Sequence, residues 1–200
     1  MAAPLRVLAI AHTKAAPILL TAAVAEGEPV RYPLTEAEYR ALGEPAVGDA
    51  LNDERAECLV GYATRHRARA AAFRILAFGD NNRAALTRKL RARGYSATLA
   101  LEVVEEMVAR GYIREGDQLE RAVRAAAGKL WGRHRILAAL TAKGYDRTEV
   151  EACVDRLTEA GELDFADARR RLIEKKLKGR QDPAAVRALL YRYGHKGTED

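Results

Sequence analysis

The sequence predicts a mainly α-helical protein of tandem three-helix repeats with a 50-residue period, the third copy truncated to two helices, behind a small N-terminal β-containing segment. Three observations predict this. Gly94, Gly144 and Gly194 stand 50 residues apart, each four positions after a leucine (Leu90, Leu140 and Leu190). The match continues downstream, pairing Val103 and Val104 with Cys153 and Val154, Met107 with Leu157, Gly111 with Gly161, and Ile113 with Leu163. From Asp53 onward the apolar spacing is helical, whereas the chain before it comes in short β-type runs. A period kept through apolar and glycine positions marks one supersecondary unit used repeatedly, so function should lie along a surface built by several repeats.

Residues 1–51 read as a small β-meander with a short helix. Leu5 to Ile10 and Ile18 to Val24 are the first two strands, and turn residues around Gly27 and Pro29 lead into Val30 to Leu34. Pro33 lacks a backbone donor and confines that third strand to an edge. Thr35 and Glu38 form a capping box that opens a helix ended by Gly43.

Residues 52–114 form the first repeat: a helix capped by Asp53 running to about Phe78, a second over 83–93 and a third over 97–110. Residues 115–164 repeat the plan, with Asp117 to Glu120 capping the first helix and Gly144 and Gly161 ending the other two. Residues 165–200 supply a helix over 165–178 and a second opened by Asp182 and Pro183, an N-cap followed by proline at the first helical position. A helix often ends on a left-handed residue, which glycine adopts without steric penalty. The aromatic after such a glycine can fold back on the last turn, so Tyr95, Tyr112 and Tyr145 read as packing residues before base-stacking ones.

Charge is distributed unevenly. The chain of 200 residues carries a net +6, yet residues 1–63 have 5 basic and 9 acidic groups, residues 64–143 have 17 and 7, and residues 144–200 have 12 and 12. A basic middle on a near-neutral remainder suits a polyanion or an acidic protein surface, although arginine is also a good helix former.

Cys58 and Cys153 make neither a disulfide framework nor a metal site. They fit a reducing compartment, and a cytoplasmic location is expected. No apolar run approaches a membrane span, so no membrane partner is expected. The stretch from Ala15 to Ala25 imitates a secretory signal, but Lys14 lies too deep and an apolar segment precedes it.

Catalytic chemistry finds no foothold. The segment from Gly43 to Gly48 has the glycine spacing of a phosphate-binding loop but lacks its lysine and hydroxyl, and Asp49 would repel phosphate. His12, His66, His134 and His195 share no ligand spacing, so neither a metal nor a cofactor is expected. No nucleophile, base and orienter set is present, and the chain is expected not to be an enzyme.

The segment from Gly132 through Arg133, Arg135, Ile136, Leu140, Lys143 and Gly144 to Tyr145 resembles the central signature of the RecX family, bacterial regulators of RecA. Leu86 to Tyr95 resembles its first-repeat counterpart, and Ala168 to Lys176 the basic helix that opens the third repeat. The resemblance covers about residues 53–194 in the right order. It implies a non-enzymatic protein, a monomer, that binds the RecA–single-stranded DNA filament along its groove and restrains its ATPase and recombination activity in DNA repair and the SOS response. There are departures. Where the family has a pair of aspartates after the first repeat's closing phrase, this chain reads Arg114, Glu115, Gly116 and Asp117, and Asn82 replaces a serine cap.

The expected contact residues are basic groups on the helices of the repeats: Arg88, Lys89, Arg91 and Arg93; Arg133, Arg135 and Lys143; and Lys175, Lys176, Arg187 and Arg192. Arg88 and Arg91, three apart, share a helical side, with Leu86 and Leu90 forming the apolar side. Two other readings stand beside this one. Three-helix units with a glycine turn overlap in pattern with helix-turn-helix domains, giving a direct DNA-binding protein of transcription or the chromosome. A plain protein-interaction scaffold would show no DNA binding. Direct contact with single-stranded DNA is left open.

Overall fold

A computed structural model of the chain describes residues 4–13, 17–25, 27–178 and 182–195. Lys14, the charge ahead of the signal-like stretch, lies outside them. The chain divides into two compact units, with breaks between Arg74 and Ile75, Arg93 and Gly94, and Val103 and Val104.

The first unit holds an antiparallel sheet of order β3-β2-β1-β4, with β1 at Leu5–Ala11, β2 at Ile18–Val24, β3 at Val30–Leu34 and β4 at Ala50–Leu51. β3 is an edge strand, as Pro33 requires. The two-residue β4, which the sequence did not announce, pairs with the start of β1 through Leu5 opposite Leu51. A register shift between Val7 and Ala9 bends β1. Alternate positions on β2, Ile18, Leu20 and Ala22, turn to a core shared with Val7, Tyr32, Leu34, Leu42, Leu51, Leu59 and Ala63.

α1 (Glu36–Ala41) is opened by the capping box: Thr35 accepts from the Glu38 backbone, and the Glu38 carboxylate accepts from the Thr35 backbone at 2.8 Å. Burial opposes ionisation of Glu38, but its hydrogen bonds with the Thr35 backbone and His66 hold its carboxyl below the usual range. Gly43 to Asp49 forms a turn, not an anion cradle. Asp49 accepts there from the Ala46 backbone at 2.8 Å.

The helices that follow keep the period in their starting positions. α3 (Arg83–Arg91), α6 (Arg133–Ala142) and α9 (Pro183–Tyr193) begin 50 residues apart, as do α4 (Ala97–Ala109) and α7 (Arg147–Glu159), and α5 (Glu115–Ala127) and α8 (Phe165–Leu177). Positions aligned by sequence are alike in burial. Val104 and Val154, Met107 and Leu157, and Ile113 and Leu163 are all buried. In the second unit, α5, α6 and α7 close a core of Leu119, Val123, Ile136, Leu140, Val150, Val154, Leu157, Leu163 and Phe165. Cys153 sits in that core, where burial pushes its thiol pKa up. Leu130, Leu172 and Leu189 join α8 and α9 in a smaller cluster.

Three expectations need correction. α2 (Asp53–Ala77) is capped by Asn52, whose Oδ1 accepts from the Arg55 backbone at 2.9 Å, while Asp53 is already helical. α5 starts at Glu115 with Arg114 in the cap position and no side-chain cap, so Asp117 lies inside its first turn. Fifty residues on, Asp164 does cap α8 by accepting from the Asp167 backbone. Tyr112, expected to pack, is 52% exposed. Asp182 and Pro183 open α9 and Gly194 closes it in the left-handed conformation, as read from sequence.

Candidate functional site

The second helices of the repeats, α3, α6 and α9, are linked end to start. Asn82 caps α3 by accepting from the Ala85 backbone at 2.8 Å and donates its Nδ2 to the carbonyl of Lys143, the C-cap of α6, at 3.2 Å. The next junction repeats this geometry. Gly132, the N-cap of α6, donates its backbone N–H to the carbonyl of Tyr193 at the end of α9, at 2.8 Å. Each link thus brings a helix N-terminus, which carries partial positive charge, to a helix C-terminus, which carries partial negative charge.

Small residues make the approach possible. A Cβ added to Gly144 would overlap the Ala84 side chain, and one added to Gly194 would overlap Arg135. One on Gly132 would stand 2.5 Å from the Gly194 carbonyl oxygen. Gly94 has the same left-handed φ, +88°, but open space around it. The periodic glycines therefore share a backbone reason, and two of the three have a packing reason besides.

The first junction is also held by charge. Arg83 pairs with Glu105 inside the first repeat at 2.7 Å and with Glu115 of the second at 3.0 Å, and Glu115 accepts from the Arg83 backbone at 2.9 Å. Arg121 meets Asp80 at 2.6 Å. The second junction uses aromatic rings instead. The Arg135 guanidinium lies 4.4 Å from the Trp131 ring centroid and 5.3 Å from that of Tyr193, and donates to the Arg192 carbonyl at 2.9 Å. Buried His195 donates Nε2–H to the Leu130 carbonyl at 3.1 Å.

These contacts sort the eleven sequence candidates. Arg133 forms a bidentate pair with Asp155 inside the second repeat, and its hydrogen bond holds that carboxyl below the usual range. Arg83 and Glu105 occupy the same two positions one period earlier, so the sequence already held the signal for this role. Arg135 is the clamp of the second junction. The other nine are exposed: Arg88, Lys89, Arg91 and Arg93 on and after α3, Lys143, Lys175, Lys176, Arg187 and Arg192. Arg88 and Arg91 face away from buried Leu86 and Leu90. Among the described residues, no ion pair engages any of the four α3 cations. Lys89 donates to the neutral Asn81 Oδ1 at 2.6 Å, and Arg93 donates to the Lys89 carbonyl at 3.0 Å. α3 contains no acidic residue, so this stretch keeps its full positive charge toward solvent. The remaining cations, on and around α6, α8 and α9, are spread over separate elements.

Sequence reasoning missed Phe78. It is 95% exposed and follows α2 directly, outside any helical apolar stripe. Among the described residues, no three His, Cys, Asp or Glu side chains gather as a metal site, and no helix is long and apolar enough to cross a membrane.

Fold and period together define a class: a mainly helical protein whose helices recur with a 50-residue period behind a small N-terminal antiparallel sheet. No family model matches the chain. It is 32% identical over 120 residues to the regulatory protein RecX of Pseudomonas putida, covering 59% of this chain and 82% of that one. It is 30% identical over 130 residues to regulatory protein RecX of Pseudomonas entomophila, covering 62% and 81%. Among solved structures, a regulatory protein RecX superposes with a TM-score of 0.69 over 94% of this chain and 92% of that one, at 12% identity. RecX from Lactobacillus salivarius superposes at 0.55 over 66% and 88%, at 17% identity, and both share the fold. The chain belongs to the RecX family of regulatory proteins.

Proposed function

We propose that this protein binds the RecA–single-stranded DNA filament and restrains its ATP hydrolysis and recombination activity in DNA repair and the SOS response, acting as a cytoplasmic monomer without covalent chemistry. Family membership carries the reading. The array supports it physically, because linked repeats offer many weak contacts that add along a periodic partner. The four cations of α3 that no carboxylate neutralises mark where contact begins, with Lys143, Lys175, Lys176, Arg187 and Arg192 extending it. Arg133 and Arg135 support the surface from within, since their guanidinium groups are already engaged.

The test is the single-stranded-DNA-dependent ATPase rate of the cognate RecA, titrated with this protein at constant salt. A fall at substoichiometric amounts is expected. An unchanged rate overturns the reading, and tight sequence-dependent binding to duplex DNA would then favour the helix-turn-helix alternative.

A further inference from the structure

We propose that the loop between α2 and α3, together with one edge of α3, is a single-stranded nucleic-acid contact site in which Phe78 stacks on a base while Lys89 and Arg93 take phosphates. This deepens the filament reading and rests on it only for its biological setting, because the site is complete within this chain.

Phe78 is the starting point. A ring 95% exposed gains nothing from the core, yet its loop is well defined. The Phe78 and Gly79 backbones donate back to Ile75 and Leu76 at 3.3 Å each, and the Asn81 side chain donates to the Gly79 carbonyl at 2.7 Å. The same Asn81, buried, accepts the Lys89 ammonium at 2.6 Å. Lys89 in turn lies one helical turn from Arg93, whose guanidinium donates to the Lys89 carbonyl. One hydrogen-bonded line thus runs from the loop bearing the aromatic to Lys89 on α3 and Arg93 in the turn just after it. The carboxylate of the loop itself, Asp80, is met by Arg121 at 2.6 Å and adds no unbalanced negative charge.

The chemistry favours a single strand over the other polyanions. A protein anchor aromatic is ringed by contacts that exclude water, whereas the loop residues after Phe78 are Gly79, Asp80 and Asn81. A duplex hides its base faces, while a single strand offers both unstacked bases and phosphates. An aromatic platform beside cations is how sequence-tolerant single-strand binding is built.

The experiment is fluorescence anisotropy of a short labelled oligodeoxythymidine with the full chain, across a salt series and without RecA, run beside the RecA ATPase titration. Wild type is expected to bind with steep salt dependence. Phe78→Ala should weaken binding about tenfold at an unchanged salt slope, as expected for loss of one stacked base, while Phe78→Tyr retains it. Arg93→Gln should lower the log–log salt slope by about 0.7, the value for one phosphate on a single strand. Absence of oligonucleotide binding, or equal binding by Phe78→Ala, overturns the site. If the ATPase rate still falls in either case, the filament reading survives and only this inference fails. Loss of ATPase inhibition by Phe78→Ala with oligonucleotide binding intact also overturns it, placing Phe78 against protein instead.

Discussion

Gly194 lies so close to Arg135 that a Cβ on the glycine would overlap the arginine backbone. At the junction one period earlier a Cβ on Gly144 would overlap the Ala84 side chain, so neither glycine has room for a side chain. These glycines thus carry the stacking of repeats as well as the ending of helices.

The three periodic glycines should therefore respond differently to alanine. Gly94→Ala meets only the left-handed conformation and should cost about 1 kcal/mol. Gly144→Ala and Gly194→Ala should cost more, since the junction must also open, and should raise amide exchange in the adjoining helices. Denaturant unfolding with hydrogen exchange checks this, and equal losses at all three positions would contradict the packing argument.

Arg135 is expected to act through its aromatic partners. Arg135→Ala should cost about 1–2 kcal/mol and loosen α9, visible as faster exchange of the amides between Val186 and Tyr193. Arg135→Lys should recover only part of the loss, because an ammonium cannot span both rings and the Arg192 carbonyl in one planar group.

The Arg133–Asp155 pair predicts a pH dependence. Asp155 ionises more readily in the folded protein, because Arg133 donates to it. Its contribution is fully present above the unfolded-state carboxylate value of about 4, and is lost as pH falls through the lower folded-state value. Since the Asp155 side chain is half exposed, the contribution is at most about 1 kcal/mol. Asp155→Asn should be less stable than wild type at neutral pH, with the gap closing in acid. A gap independent of pH would show that the pair is not responsible.

Reversing the charge of Arg88 and Arg91 should abolish the proposed inhibition of RecA ATPase while leaving the unfolding midpoint unchanged. Both side chains are exposed and neither is ion-paired, so stability gives no reason for their loss to matter. Retained inhibition would move the contact surface off α3.

Much of the fold is legible in the chain. The edge placement of Pro33, the Thr35–Glu38 capping box and the Asp182–Pro183 helix start all follow from local backbone chemistry. Misreadings occurred where two neighbouring residues can serve one purpose. Asn52 and Asp53 both suit an N-cap, and only the backbone conformation of the folded chain chose Asn52. Asp117 looked like a cap because its spacing to Glu120 fits a capping box, but α5 begins earlier, where Glu115 is also committed to Arg83.

The candidate surface was less legible. Composition identified the basic helices but counted every cation alike. Local periodicity determined what depends on neighbours within a turn or two: which residues are helical, where glycine must end a helix, and which leucines face inward. Tertiary structure decided which charges remain available. Arg133 meets a carboxylate 22 positions away, Arg135 a carbonyl 57 away and Asn82 a carbonyl 61 away. Such pairings arise only when separate helices pack. Hydrogen bonds and direct ion pairs form only when the groups come within a few ångströms, and no helical period encodes that distance.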